Sequence, residues 1–209
     1  LIHQIRDRIR VELHGACIGA GIELPAFAGA ISAREDAFFQ LPEVAMGLIP
    51  GAGGTQRLPR LTGVEAAIDI ISSGRMVPAG EARELGIVST IYDNDLEANA
   101  IAFIREKASS GKEHPRIRDI DVVDTRDATA FDAKRAAVEK KARGQTSPLS
   151  CIDAVQAACE HDFEGGMERE SEIFRACMDS SQREGLIHYF FSERVAAKIP
   201  GLAADAEPL

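Results

Sequence analysis

The sequence predicts an α/β fold with a helical C-terminal region, on three observations. Short apolar stretches alternate with glycine-punctuated helical segments through the first half of the chain. A charged stretch from Gly111 to Ala128 interrupts them, and three amphipathic segments with helical periodicity follow. The implied division is an α/β part over residues 1–110, a linker or surface loop over 111–128, and a helical region over 129–209.

Taken in order, Leu1, Ile2, Ile5 and Ile9 share one helical stripe with arginines and Asp7 opposite, which predicts a packed surface helix over the first ten residues. Val11-Glu12-Leu13 reads as a short strand ending at His14-Gly15. The run CIGAGIELPAFAGAIS reads as a turn into a buried helix capped near Gly29, with a strand beginning over Ala30 to Ala33. Phe38, Phe39 and Leu41 flank another extended stretch. The segment PEVAMGLIPGAGGTQRLPRL then carries too many glycines and prolines for one regular element and reads as a site loop.

Thr62-Gly63-Val64-Glu65 fits a capping box, so a helix is expected from Val64 to Ser72, stopping at Gly74. Pro78 suits the first turn of the next helix, which Gly86 ends before the apolar strand IVSTIY. A further helix is expected from Asp95 to Ser109. Beyond the charged stretch, helices are expected over Phe131 to Ala142, Pro148 to Glu160 and Met167 to Ala197, the last broken near Ser180-Ser181. The acidic tail AADAEPL is expected to be flexible.

Composition narrows the function classes. The 209 residues can bury one sizeable core, and a net charge of -9 with pI near 5.1 argues against a nucleic-acid partner, which needs a clustered basic face. No apolar run approaches the roughly 18 residues that span a bilayer. The expectation is a soluble protein of the cytoplasm or another reducing compartment, with no membrane partner. Cys17, Cys151, Cys159 and Cys177 form no C-x-x-C pair and read as unpaired core thiols. The five histidines lack ligand spacing, so no metal is expected.

Two segments stand out for chemistry: HGACIGAGIEL at 14–24 and PEVAMGLIPGAGGTQ at 42–56. Each sets a glutamate beside glycine-rich backbone. Glu23, between Ile22 and Leu24, is costly to bury ionised unless hydrogen-bonded, paired or protonated. Taken alone, it also fits a helix glutamate satisfied by backbone amides. Glu43 follows Pro42 and taken alone fits a first-turn residue favoured by the helix dipole. As a pair, the two carboxyls could serve as acid and base across one substrate, with nearby amides facing a developing oxyanion. Gly19-Ala20-Gly21 matches only half of G-x-G-x-x-G, and GLIPGAGGT lacks the Gly-Lys-Ser/Thr ending of a phosphate loop.

IGAGIEL and PEVAMGLIPGAGGTQRLPR resemble the two signature stretches of the crotonase, or enoyl-CoA hydratase/isomerase, superfamily. The 20-residue separation of Glu23 and Glu43 matches the family's glutamate pair, and SGRMVPAGEARELGIV resembles its next segment. The resemblance implies a crotonase-like ββα spiral core that hydrates trans-2-enoyl-CoA to 3-hydroxyacyl-CoA. It implies that Glu23 and Glu43 hold and deprotonate the water and deliver a proton to C2, with donation assigned to Glu43. It also implies that the Ala20 amide is an oxyanion donor and that the Gly51 amide orients water. Ala20 stands where the family usually has glycine, and its methyl crowds the acyl end. The family's front portion, which supplies the other oxyanion amide and part of the coenzyme A pocket, is not found here, so a fragment or missing residues are expected.

No cofactor is implied, coenzyme A entering as part of the acyl-CoA substrate. Arg57 and Arg60 are either its anion partners or solvated surface residues. The C-terminal segments resemble the region joining hydratase and 3-hydroxyacyl-CoA dehydrogenase domains in bifunctional β-oxidation enzymes. They equally fit a helical cap with Tyr189, Phe190 and Phe191 in a core. The family's habit implies a homo-oligomer, a trimer or hexamer. The rival readings are a Δ3,Δ2-enoyl-CoA isomerase, for which one glutamate suffices, and a non-catalytic acyl-CoA-binding or assembly module.

Overall fold

The structure, a computed structural model, describes residues 9–28, 30–110, 116–122 and 128–196. Its framework is two small sheets fed alternately by the chain. Strand β1 (Arg10–Leu13) pairs in parallel with β3 (Ala30–Arg34), which pairs in parallel with β6 (Thr90–Tyr92). Strand β2 (Ala16–Ile18) pairs in parallel with β4 (Phe38–Gln40), which meets β5 (Val77–Pro78) antiparallel. The first four strands therefore alternate between the two sheets, β5 stays beside β4, and β6 returns to the first sheet. A short helix α1 (Ala20–Glu23) and helix α2 (Gly54–Thr62) follow the first and second strand pairs, giving the ββα turns of the expected spiral.

Helices α3 (Val64–Ser73) and α4 (Ala79–Glu84) complete this part, and α5 (Leu96–Ser110) leads from β6. The C-terminal helices are α6 (Ala128–Ala142), α7 (Ser147–Glu160), α8 (Phe163–Met178) and α9 (Ser181–Ala196). One core runs through both parts: Phe39, Ile49, Val64, Ile71 and Val77 join Phe131, Cys151, Ile152, Val155 and Ile173. Burying such side chains supplies about 1.5–3 kcal/mol each, so the helices from 128 onward are integral to the first part's stability. Within the charged stretch, a 3-10 turn at Ile117–Asp119 packs on α2.

Several local expectations need correction. Arg10 lies in β1, so the predicted N-terminal helix does not reach it, and residues 1–8 lie outside the described ones. Cys17 belongs to a strand preceding the turn, because its side chain alternates inward between exposed Ala16 and Ile18. Helix α3 starts as predicted, but its N-cap is Gly63. Thr62 ends α2, and its hydroxyl donates back to the Leu58 carbonyl at 3.1 Å instead of capping. The expected site loop divides into a 3-10 turn at Pro42–Met46, a loop, and the regular helix α2, which tolerates Pro59 inside it.

Cys17, Cys151 and Cys177 are buried thiols, whereas Cys159 is exposed at the end of α7. The alternative of a helical cap with its aromatic residues in a core does not hold for Tyr189 and Phe191, which are 61% and 59% exposed on α9, a helix with no buried residue. The acidic tail and Gly29 lie outside the described residues.

Candidate active site

Glu23 reaches the site through a turn that only glycine makes cheaply. After β2, Gly19 adopts φ 55°, ψ -122°, and its N–H donates to the Gln40 carbonyl at 2.8 Å, tying the start of α1 to the end of β4. One helical turn later Glu23 is buried at 6% exposure. Its Oε1 accepts the main-chain N–H of Ala52 at 3.0 Å and of Gly54 at 2.9 Å. Those amides head α2, where helix donors lack intrahelical partners and the dipole favours negative charge. Satisfaction by backbone amides and membership of a carboxylate pair are thus compatible readings of Glu23. Both bonds fall on Oε1, which leaves Oε2 for a reacting group.

Glu43 has the opposite surroundings. It sits second in the 3-10 turn opened by Pro42, which ends at Gly47, and its carbonyl accepts from Leu48 N–H at 3.0 Å. Its Oε1 lies 2.8 Å from where a Cβ on Gly19 would stand, so the missing side chain of Gly19 makes room for this carboxyl. Its Oε2 is buried and has no hydrogen-bond partner among the described residues. Burial raises the Glu43 pKa to about 7, the charge of Glu23 adds to the rise, and its own main-chain amide partly opposes it. An acid of this strength holds a transferable proton near neutrality.

Gly51 lies in the loop between the 3-10 turn at Pro42–Met46 and α2. It is exposed on one side and faces Phe174 of α8 on the other, where a Cβ would lie 2.6 Å from the ring. Ala20 is exposed and heads α1, so its amide belongs to the first helical turn. The structure therefore gathers Glu23, Glu43 and Ala20 around the Gly19 turn, with Gly51 next to the amide that binds Glu23.

One carboxylate here was missed by sequence reading. Glu170 of α8 is fully buried, and its two oxygens accept from Gly53 N–H at 2.8 Å and from the Thr55 hydroxyl at 2.5 Å. Burial raises its pKa to about 7, its two hydrogen bonds pull the other way, and the charge of Glu23 adds to the rise. The available signal was its place on the apolar stripe Phe163, Gly166, Glu170, Ile173 and Cys177.

Arg57 overturns the expectation of a solvated arginine. It is 6% exposed, donates to the Ala52 carbonyl at 3.0 Å and stacks 3.7 Å from the Phe27 ring centroid. Burial lowers its pKa to about 10 against the attraction of Glu170 and Glu23. Arg60 is half-buried and donates to the Gln56 carbonyl at 2.6 Å. Both guanidinium groups thus hold backbone carbonyls around α2.

The sequence pattern of enoyl-CoA hydratase/isomerase matches residues 9–147. The chain is 38% identical over 191 residues to the peroxisomal bifunctional enzyme of Cavia porcellus, covering 89% of this chain and 26% of that protein. It is 32% identical over 206 residues to the fatty acid oxidation complex subunit alpha of Shewanella baltica, covering 94% and 29%. The chain thus spans under a third of the length of these relatives. Among solved structures, an enoyl-CoA hydratase/isomerase from Pseudoalteromonas atlantica superposes with a TM-score of 0.60 at 23% identity, covering 97% of this chain and 67% of the other. That likeness establishes the fold.

Proposed function

The chain belongs to the enoyl-CoA hydratase/isomerase family, and from that premise we propose that it adds water to trans-2-enoyl-CoA to give 3-hydroxyacyl-CoA. The observation that carries this reading is the contrast within the carboxylate pair: Glu43 holds its proton up to about 7, beside a Glu23 fixed by two amides. In this reaction the water oxygen bonds to C3, the double-bond electrons move toward the thioester oxygen, and C2 gains a proton. Glu23 receives the proton that the water gives up, and Glu43 supplies the one that reaches C2. The Ala20 amide faces the thioester oxygen as charge gathers there, and the Gly51 amide orients the water. Coenzyme A enters as part of the substrate and no further cofactor is assigned.

A short 2-enoyl-CoA tests this directly, because hydration removes the absorbance of the conjugated enoyl thioester. The assay is run on the chain and on the full-length product of its gene. Turnover is expected, with Glu43→Gln lowering kcat by about a thousandfold and Glu23→Gln by at least about a hundredfold, in the range of general acid-base contributions. An active protein in which Glu23→Gln is harmless while Glu43→Gln abolishes 3-enoyl to 2-enoyl isomerisation would favour the isomerase. Binding of acyl-CoA without turnover would favour the binding module. Self-association into trimers or hexamers is part of this reading, and a strict monomer by light scattering would count against it.

A further inference from the structure

The loop at residues 51–55 is gripped by two carboxylates in strict alternation. Ala52 and Gly54 donate their amides to Glu23, while Gly53 donates its amide and Thr55 its hydroxyl to Glu170. Glu23 comes from the α/β part, and Glu170 comes from α8, 117 residues beyond Gly53. Neither carboxylate receives a hydrogen bond from Arg57, whose Nη1 donates to the Ala52 carbonyl. A fully buried carboxylate with no such ion pair is costly, and the cost falls only when every oxygen is met by a well-aimed donor. Gly53 and Thr55 are those donors.

Two features make the grip directional. The Thr55 hydroxyl accepts from the Gln56 side-chain amide at 2.9 Å, and that amide also donates to the Ala154 carbonyl at 2.8 Å. The single proton of Thr55 is then committed to Glu170. The same face of α8 also sets Phe174 against Gly51 and Met167 against Gly53. We infer that Glu170 is a positioning residue: from α8 it holds the 51–55 loop in the one conformation that presents the Ala52 and Gly54 amides to Glu23 and the Gly51 amide to the substrate water. The role of Gly51 rests on the hydratase reading. The hold on the loop does not.

Glu170→Gln tests this because the amide cannot serve both donors. An oxygen placed at Gly53 N–H turns the NH2 toward Thr55, whose proton then has no acceptor. In the full chain, Glu170→Gln is expected to lower kcat for 2-enoyl-CoA hydration about tenfold or more, with KM within about twofold, because substrate binding elsewhere is untouched and alignment is lost. Thr55→Val should reproduce the effect and Thr55→Ser should recover what Thr55→Val loses. Amide hydrogen exchange should quicken over residues 51–55 and stay unchanged in β3 and α7. Unchanged kcat and unchanged exchange at 51–55 in a folded Glu170→Gln protein would overturn the inference. So would exchange that rises throughout the chain as Tm and kcat fall together, which marks a purely structural residue. If the wild-type chain does not hydrate, the hydratase reading fails, and the exchange at 51–55 still decides the hold of Glu170 on the loop.

Discussion

The turn that carries Glu23 and the turn that carries Glu43 place the same residue type in different surroundings. Glu23 lies at the last position of α1 and points at the open amides of α2, so burial is offset by two backbone donors to one oxygen. Glu43 lies in a 3-10 turn that offers its side chain no comparable donors, and its Oε2 is buried without a partner among the described residues. The difference teaches that the donors offered to a buried carboxyl are set by backbone direction more than by residue type. A carboxylate facing helix amides is stabilised as the charged form, and one facing apolar surroundings keeps its proton.

The sharpest way to break that contrast is to fill the space that Glu43 occupies. Gly19→Ala puts a Cβ at 2.8 Å from Glu43 Oε1 and forces alanine into φ 55°, ψ -122°. We expect loss of roughly a hundredfold in kcat with about 2–3 kcal/mol of destabilisation, as such backbone strain costs; urea unfolding and the enoyl-thioester assay measure both. Gly54→Ala attacks the other carboxylate, with its Cβ at 2.7 Å from Glu23 Oε1 and 2.9 Å from Pro50 Cβ. Its backbone is helical and unstrained, so a smaller loss of about tenfold is expected, seen chiefly in kcat. Equal effects of the two substitutions would erase the proposed difference between the turns.

Stability against pH sharpens the same comparison. The folded-state pKa of Glu43, about 7, lies above its ordinary 4.5. A raised acid contributes stability that is fully present below about pH 4.5 and is lost as pH rises through about 7. Glu43→Gln removes this dependence, so relative to wild type the variant should gain unfolding free energy as pH rises between those values, by at most about 3 kcal/mol, measured by urea unfolding. The smallest effect belongs to α9, where Phe191→Ser on an exposed face should shift stability by no more than about 0.5 kcal/mol.

Much of this was legible in the sequence for identifiable reasons. Glycine and proline marked the boundaries of α3 at Gly74 and of the turn at Pro42, because their backbone preferences act locally. Apolar periodicity located β3, β4 and the helices from α5 to α9. The two glycine-rich segments and their spacing suggested Glu23 and Glu43 as a pair, and in the structure the charge of Glu23 adds to the raised pKa of Glu43.

What the tertiary structure alone decided depends on contacts between residues far apart in the chain. Glu170 meets Gly53 and Thr55 across 117 and 115 positions, so nothing local announces its partners. Arg57 is buried because Phe27 and the Ala52 carbonyl enclose it, although an arginine in that sequence reads as solvated. Conversely, Tyr189 and Phe191 have core-like chemistry yet lie on an exposed face, since nothing among the described residues covers them. Residue type and spacing determined which groups were available. Packing decided which oxygen met a donor and how deeply each carboxyl was buried, and burial is what raises Glu43 and Glu170.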